Sequence, residues 1–302
     1  MNTRQSRQLK DAIRQLSDYQ SLSRMRYDQC DSEAMPSSAT LAEIVELCRS
    51  LLFPGFFGND SINEQNLGYH IGLCTERLFG LLTAQIRSSL CFQSADGNCP
   101  PADAARQAED IACAFVARLP ELRAWLADDV VASYNGDPAA GSVAEVIACY
   151  PGIRAISSYR IAHALHELGV PVIPRMIAEL AHSETGIDIH PAACIGRSFS
   201  IDHGTGVVIG ATAILGNNVK LYQGVTLGAK SFPLDEDGNP IKGVPRHPIL
   251  EDNVIIYSNA TVLGRVTIGK DAVIGANIWL TSDVAPGTKV VKSNRNSQPA
   301  NI

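Results

Sequence analysis

Ile201-Asp-His-Gly-Thr-Gly-Val-Val-Ile-Gly-Ala-Thr-Ala-Ile-Leu-Gly-Asn-Asn-Val-Lys-Leu-Tyr-Gln-Gly-Val-Thr-Leu-Gly228 carries a six-residue repeat. Ile209, Leu215, Leu221 and Leu227 recur in phase, and the series resumes at Leu250, Ile256, Val262, Ile268, Ile274 and Leu280. Four residues after most of these stands a small or branched residue: Ala213, Val219, Val225, Ala260, Val266, Ala272, Ile278 and Val284. Such a period marks a β-helical solenoid, each unit making one flat face and one corner with its aliphatic residue inside. The period reaches back through Ile189, Ile195 and Ile201. The step from Ile201 to Ile209 is eight residues rather than six, and the extra two fall around His203. A local departure inside a regular repeat is where function is expected.

Working outward, residues 1–185 lack this period and read as a helical domain. Helices are expected from Ser37 to Pro54, from the capping-box pattern Ser61-Ile-Asn-Glu64 to Leu90, from Ala102 to Leu119 and from Glu121 to Tyr134. Further ones are expected over Gly141 to Ala148, Ile153 to Leu168 and Pro171 to Ser183. The fold class is therefore α+β, an all-helical N-terminal domain followed by a parallel β-helix over 186–290. A solenoid end exposes strand edges and apolar interior, and the helices are placed to cover it. Between Gly228 and Pro248 the period vanishes into polar turn residues, so 229–247 reads as a loop thrown out of one corner. A polar tail, 291–302, ends in Ile302.

Bulk composition narrows the function. A 302-residue chain with 45% hydrophobic and 19% charged residues fits a soluble two-domain protein. The net charge of -6 argues against nucleic acid as partner. No apolar stretch is long enough to span a membrane, and the polar N-terminus has no secretory h-region. Eight cysteines without a CxxC pair suit a reducing compartment, and the cytoplasm is the expected location. His190, His203 and His247 are too far apart in sequence for a zinc motif, so no metal is expected.

His203 is the leading catalytic candidate, against the plain reading of a polar turn residue. It sits at the phase slip, between Asp202 and Gly204-Thr-Gly206. Asp188 lies 15 residues upstream, close to one coil of about 18 residues, and a carboxylate there could orient the imidazole. A His–Asp pair suits a general base acting on a hydroxyl. Arg246 and His247 end the ejected loop, and Arg suits a bidentate grip on a substrate carboxylate. Asp137, in Asn-Gly-Asp-Pro, is most simply a turn former.

Taken together the motifs resemble the serine O-acetyltransferases. They are Gly186-Ile-Asp188-Ile-His190-Pro-Ala-Ala, Asp202-His203-Gly-Thr-Gly, Gln223-Gly-Val-Thr-Leu-Gly228 and Arg246-His247-Pro248, with Asp137-Pro-Ala and Ser158-Tyr-Arg160-Ile-Ala-His163 upstream. The resemblance covers about 120–290 and implies a left-handed β-helix. It implies acetyl transfer from acetyl-CoA to L-serine, the first step of cysteine biosynthesis, with no separate cofactor. By resemblance His203 is the catalytic base and Asp188 its partner. Asp137, Asp202, Arg246 and His247 bind serine, and Gly228, Ala229 and Ala276 lie along acetyl-CoA. Trimers, or hexamers paired through the helical domains, are implied, with active sites between neighbouring β-helices. A terminal Ile302 implies docking to O-acetylserine sulfhydrylase. The chain departs from the family's pattern in its long 229–245 excursion, in the missing Gly-Val-Pro-Ala after the last coil, and in its first ~100 residues. A related acetyltransferase of sugar or antibiotic hydroxyls, a non-catalytic scaffold, and a carbonic-anhydrase-like metal site, which the His spacing opposes, are the competing readings.

Overall fold

The computed structural model describes residues 3–22, 35–58, 61–93, 101–231 and 233–292. Ile302 lies outside them. Seven α-helices precede fourteen strands among the described residues. The helices are α1 (Thr3–Leu16), α2 (Ser38–Leu52), α3 (Leu67–Gln93), α4 (Pro101–Gly136), α5 (Val143–Cys149), α6 (Pro151–Glu167) and α7 (Ile173–Thr185). Ser37 caps α2 by accepting the Thr40 N–H, and the helix buries Leu41, Ile44, Val45, Cys48 and Leu51. None of the described helices is long and apolar enough to cross a membrane.

Two sequence expectations fail here. The capping box at Ser61 does not start α3. Asn63 takes over instead, its side-chain oxygen accepting the N–H groups of Gln65 and Asn66, and the helix begins at Leu67. The expected break at Pro120 is absent, because α4 runs unbroken through it. Phe115, Leu119, Leu126 and Val130 stay in one buried stripe across the proline, and Pro120 itself is exposed. Tertiary burial of that stripe outweighs the local cost of a proline whose ring faces solvent.

Gly186, left-handed at φ 70°, ends α7 and turns the chain into the solenoid. The first face holds β1 (Asp188–Ile189), β4 (Val208–Ile209), β7 (Thr226–Gly228), β10 (Thr261–Leu263) and β13 (Trp279–Leu280). The second holds β2 (Cys194–Ile195), β5 (Ile214–Leu215), β8 (Ile249–Leu250) and β11 (Thr267–Ile268). The third holds β3 (Ser200–Asp202), β6 (Lys220–Tyr222), β9 (Ile255–Ile256), β12 (Val273–Ile274) and β14 (Lys289–Val290). All pairings are parallel. This is the left-handed β-helix, and the in-phase aliphatics from Ile189 to Leu280 are its buried interior.

The phase slip has a concrete form. Along the edge between the third and first faces runs a column of left-handed residues: Gly186, Gly206, Gly224, Asn259 and Asn277. Backbone N–H groups tie each one after Gly186 to the corner before it, while the Gly186 N–H donates to His182 O of α7. A Cβ on Gly224 would lie 2.1 Å from Asn259 Oδ1, so this position needs glycine. His203 (φ 56°) and Gly204 (φ 93°) stand outside the column as the inserted pair. They make the first coil twenty residues long, since Asp188 faces Val208, whereas Val208 faces Thr226.

The Tyr-Arg-Ile-Ala-His motif fastens the helices to the first coil. Tyr159 donates to Ala193 O at 2.6 Å, His163 Nδ1 to Pro191 O at 2.8 Å, and Arg160 to Ile195 O and Gly196 O at 2.8 and 2.6 Å. Arg160 also makes a bidentate pair with Asp129 of α4, both N–O distances 3.0 Å, in full burial. Asp129 Oδ1 accepts the Phe199 N–H as well. Burial pushes the Asp129 carboxyl above its ordinary value, and Arg160 offsets part of that.

Candidate active site

The inserted pair thrusts His203 outward at the third-to-first edge, where its side chain is 74% exposed. A non-glycine residue in the left-handed region is uncommon and marks a constrained position. Its Nε2 lies 3.8 Å from Asp202 Oδ1. The other Asp202 oxygen meets Lys220 Nζ at 3.2 Å. Lys220 also donates to Gly136 O at 2.6 Å, at the end of α4, and lies 4.5 Å from the Tyr222 ring centre. Burial works to lower the Lys220 amine, but its contacts with Tyr222 and Asp202 outweigh that and hold it above the ordinary value. Lys220 thus joins the helical layer to the His203 corner, a link the sequence reading missed.

Asp137 reaches the same corner from the turn after α4. Tyr150 donates to its Oδ2 at 2.6 Å and the Ala139 N–H to its Oδ1 at 2.8 Å. These bonds, helped by the charges of Lys220 and His203, hold its carboxyl below the ordinary value. The same bond pushes the Tyr150 hydroxyl up to about 12. Asp137, Asp202 and His203 therefore form one cluster: two carboxylates beside an exposed imidazole, suited to an ammonium group and a hydroxyl. Asp188 stands on the outer side of β1, two residues after Gly186, whose carbonyl accepts the Gly206 N–H of the His203 turn. Among the described residues no hydrogen bond or ion pair joins Asp188 to His203; the carboxylate in reach is Asp202.

Arg246 and His247 lie elsewhere, at the edge between the first and second faces, where the excursion rejoins the coil before β8. Thr212 fixes them. Its hydroxyl accepts the N–H groups of Arg246 and His247 at 2.9 and 3.1 Å and lies 2.8 Å from His247 Nδ1. The Thr212 N–H donates to that same Nδ1 at 3.1 Å. A nitrogen that accepts a backbone N–H carries no proton, so the proton of the neutral ring is on Nε2. The ring lies over Gly210, where a Cβ would be 2.0 Å from the imidazole. Burial, with the charges of Arg246, His190 and Arg265, pushes His247 down to about 4. Arg265 donates to Thr212 O, and to His247 O at 3.0 Å. Neither Thr212 nor Arg265 stands out in the repeat.

The structure thus divides the sequence candidates. Asp137, Asp202 and His203 meet at one edge, with Ala276 farther along it, at the corner after β12. Arg246 and His247 meet at the other, with Gly228 and Ala229 at the end of β7. The two edges bound opposite sides of the first face. Among the described residues no hydrogen bond or ion pair links the two groups.

Comparison with known proteins narrows the chemistry. A family model described as bacterial transferase hexapeptide (six repeats) matches residues 247–277. The chain is 49% identical over 257 residues to a serine acetyltransferase, plasmid, of Synechococcus elongatus, covering 84% of this chain and 81% of that one. The crystal structure of serine acetyltransferase isoform 3 from Entamoeba histolytica in complex with cysteine superposes with a TM-score of 0.72 at 35% identity, covering 89% of this chain and 86% of that one. A Neisseria gonorrhoeae serine acetyltransferase in complex with serine superposes with a TM-score of 0.54 at 28% identity, covering 85% and 95%.

Proposed function

The chain belongs to the serine acetyltransferase family and is a serine O-acetyltransferase, and we propose that it works between two copies of itself, with His203 as general base and acetyl-CoA as donor. The observation that carries the two-copy site is the split just described. The ammonium-binding carboxylates and the base occupy one edge, and the carboxylate-binding Arg246 occupies another. A serine molecule is too small to span the first face, so the His203 edge of one copy meets the Arg246 edge of the next. A closed ring of such heterologous contacts is a trimer, with a dimer of trimers as its extension.

In this arrangement Asp137 and Asp202 hold the serine ammonium and Arg246 its carboxylate. His247 presents a fixed Nε2–H as a neutral donor. His203 takes the proton of the serine hydroxyl as its oxygen attacks the thioester carbon. The carbon–sulfur bond breaks, and the imidazolium returns the proton to the thiolate, giving O-acetyl-L-serine and CoA. Asp188, beside the same turn, is the carboxylate assigned to orient and stabilise the protonated ring. A positioned general base supplies roughly 10²–10⁴-fold, so joint binding of both substrates supplies much of the remainder. Gly228 and Ala229 on one wall and Ala276 on the other line the path of the donor. The serine and cysteine complexes of the relatives support an amino-acid site of this kind.

The product serves cysteine biosynthesis, in the cytoplasm. Ile302 is assigned to docking on O-acetylserine sulfhydrylase; full-strength binding after its deletion would reject that role. Incubation with acetyl-CoA and L-serine, followed by thiol release, tests the reaction. Release with a sugar acceptor but none with serine would overturn the substrate assignment.

A further inference from the structure

The root of the excursion loop borders a cavity of about 300 Å³ that the serine site touches only through Arg246. Lys230, Arg246 and Arg265 border it, with Gly264 and Thr281. Lys230 opens the loop, Arg246 closes it, and Arg265 comes from the next coil. Gly264 keeps the space clear: it is left-handed at φ 92°, and a Cβ on it would press on the Lys230 side chain at 3.3 Å. Its N–H donates to Gly228 O at 3.0 Å, which sets the loop root against the coil.

The charges here are unanswered. Among the described residues none of the three cations has a carboxylate partner. Elsewhere Arg77, Arg118, Arg154, Arg160 and Arg197 all pair with Asp or Glu. This happens in a chain with 31 acidic and 25 basic residues. Three uncompensated cations around one cavity favour a multiply charged anion. The serine carboxylate has a single charge and accounts for Arg246 alone.

We propose that this cavity binds the phosphates of the donor's nucleotide end, with Lys230 and Arg265 as the cations and Arg246 at the mouth toward the serine site. The proposal rests on the reading of acetyl-CoA as donor. It gives the long excursion a purpose, because the loop carries Lys230 into place.

Steady-state kinetics of wild type, Lys230→Met and Lys230→Arg test it, with four donors: acetyl-CoA, acetyl-3′-dephospho-CoA, S-acetyl-4′-phosphopantetheine and S-acetylpantetheine. Lys230→Met should raise KM for acetyl-CoA about tenfold, the loss of one charge contact, and Lys230→Arg should restore it. The variant-to-wild-type KM ratio should fall to about one with S-acetylpantetheine, which has no phosphate. The donor at which the ratio first drops identifies the phosphate bound. An equal KM increase for S-acetylpantetheine, or no increase for any donor, overturns the proposal. Wild-type protein inert with all four thioesters would remove the donor reading and the cavity assignment with it.

Discussion

The hydroxyl of Thr212 lies 2.8 Å from Nδ1 of His247 while accepting the N–H groups of both Arg246 and His247. One side chain therefore holds Arg246 and His247, the residues proposed to contact serine, at the point where a long loop returns to a rigid coil. Thr212→Val deletes that acceptor and leaves two backbone donors to find water. Serine KM should rise about tenfold with kcat less affected, because the lost contacts position rather than react. Thr212→Ser keeps the hydroxyl and should stay near wild type. Damage from Thr212→Ser with Thr212→Val near wild type would point to packing of the methyl group instead.

His247 makes stability depend on pH in a definite direction. Its folded value, about 4, lies below the ordinary 6.5. The unfolded chain takes up this proton below pH 6.5, and the fold refuses it until about pH 4. The stabilisation is thus fully present above pH 6.5 and declines as pH falls toward 4, by on the order of 3 kcal/mol in all. Urea midpoints between pH 7.5 and 4.5 should fall less steeply in His247→Gln than in wild type.

The two acids near His203 have separable effects. Asp188→Asn should lower kcat, by up to about 10²-fold, with little change in serine KM, as befits a group acting through the base. Asp202→Asn should chiefly raise serine KM. His203→Ala should reduce kcat roughly 10²–10⁴-fold. Thiol release as a function of serine concentration measures all three. The reverse pattern, with Asp202→Asn striking kcat and Asp188→Asn silent, would transfer the orienting role to the carboxylate now 3.8 Å from the ring.

The buried Arg160–Asp129 pair ties the helices to the first coil. Arg160→Met leaves an unpaired carboxylate in full burial and should cost about 3–5 kcal/mol by urea unfolding. Adding Asp129→Leu should recover much of that loss, since no charge is then stranded.

Much of the fold was legible because a six-residue period states which side chains face inward. Each in-phase aliphatic from Ile189 to Leu280 is buried. The eight-residue step marked the inserted His203–Gly204 pair for the same reason. Reading failed where local signals compete with tertiary ones. Pro120 looks like a breaker, but α4 continues through it because its apolar stripe stays in phase. Thr212, Lys220 and Arg265 gave no signal at all, since each occupies an ordinary outward or corner position in the repeat.

By itself the sequence determined the solenoid, its interior, the places where its coils depart from the repeat and the residues able to do acid–base chemistry. Those properties are periodic or compositional, and they survive without knowing what stacks on what. The tertiary structure alone decided which of those residues meet. Coil stacking carries residue 212 beneath residue 247 and residue 220 against residue 202. It also sends His203 and Arg246 to different edges of one prism. A rigid coil cannot bend to join them, and that is the physical reason behind the proposal of a site shared by two copies.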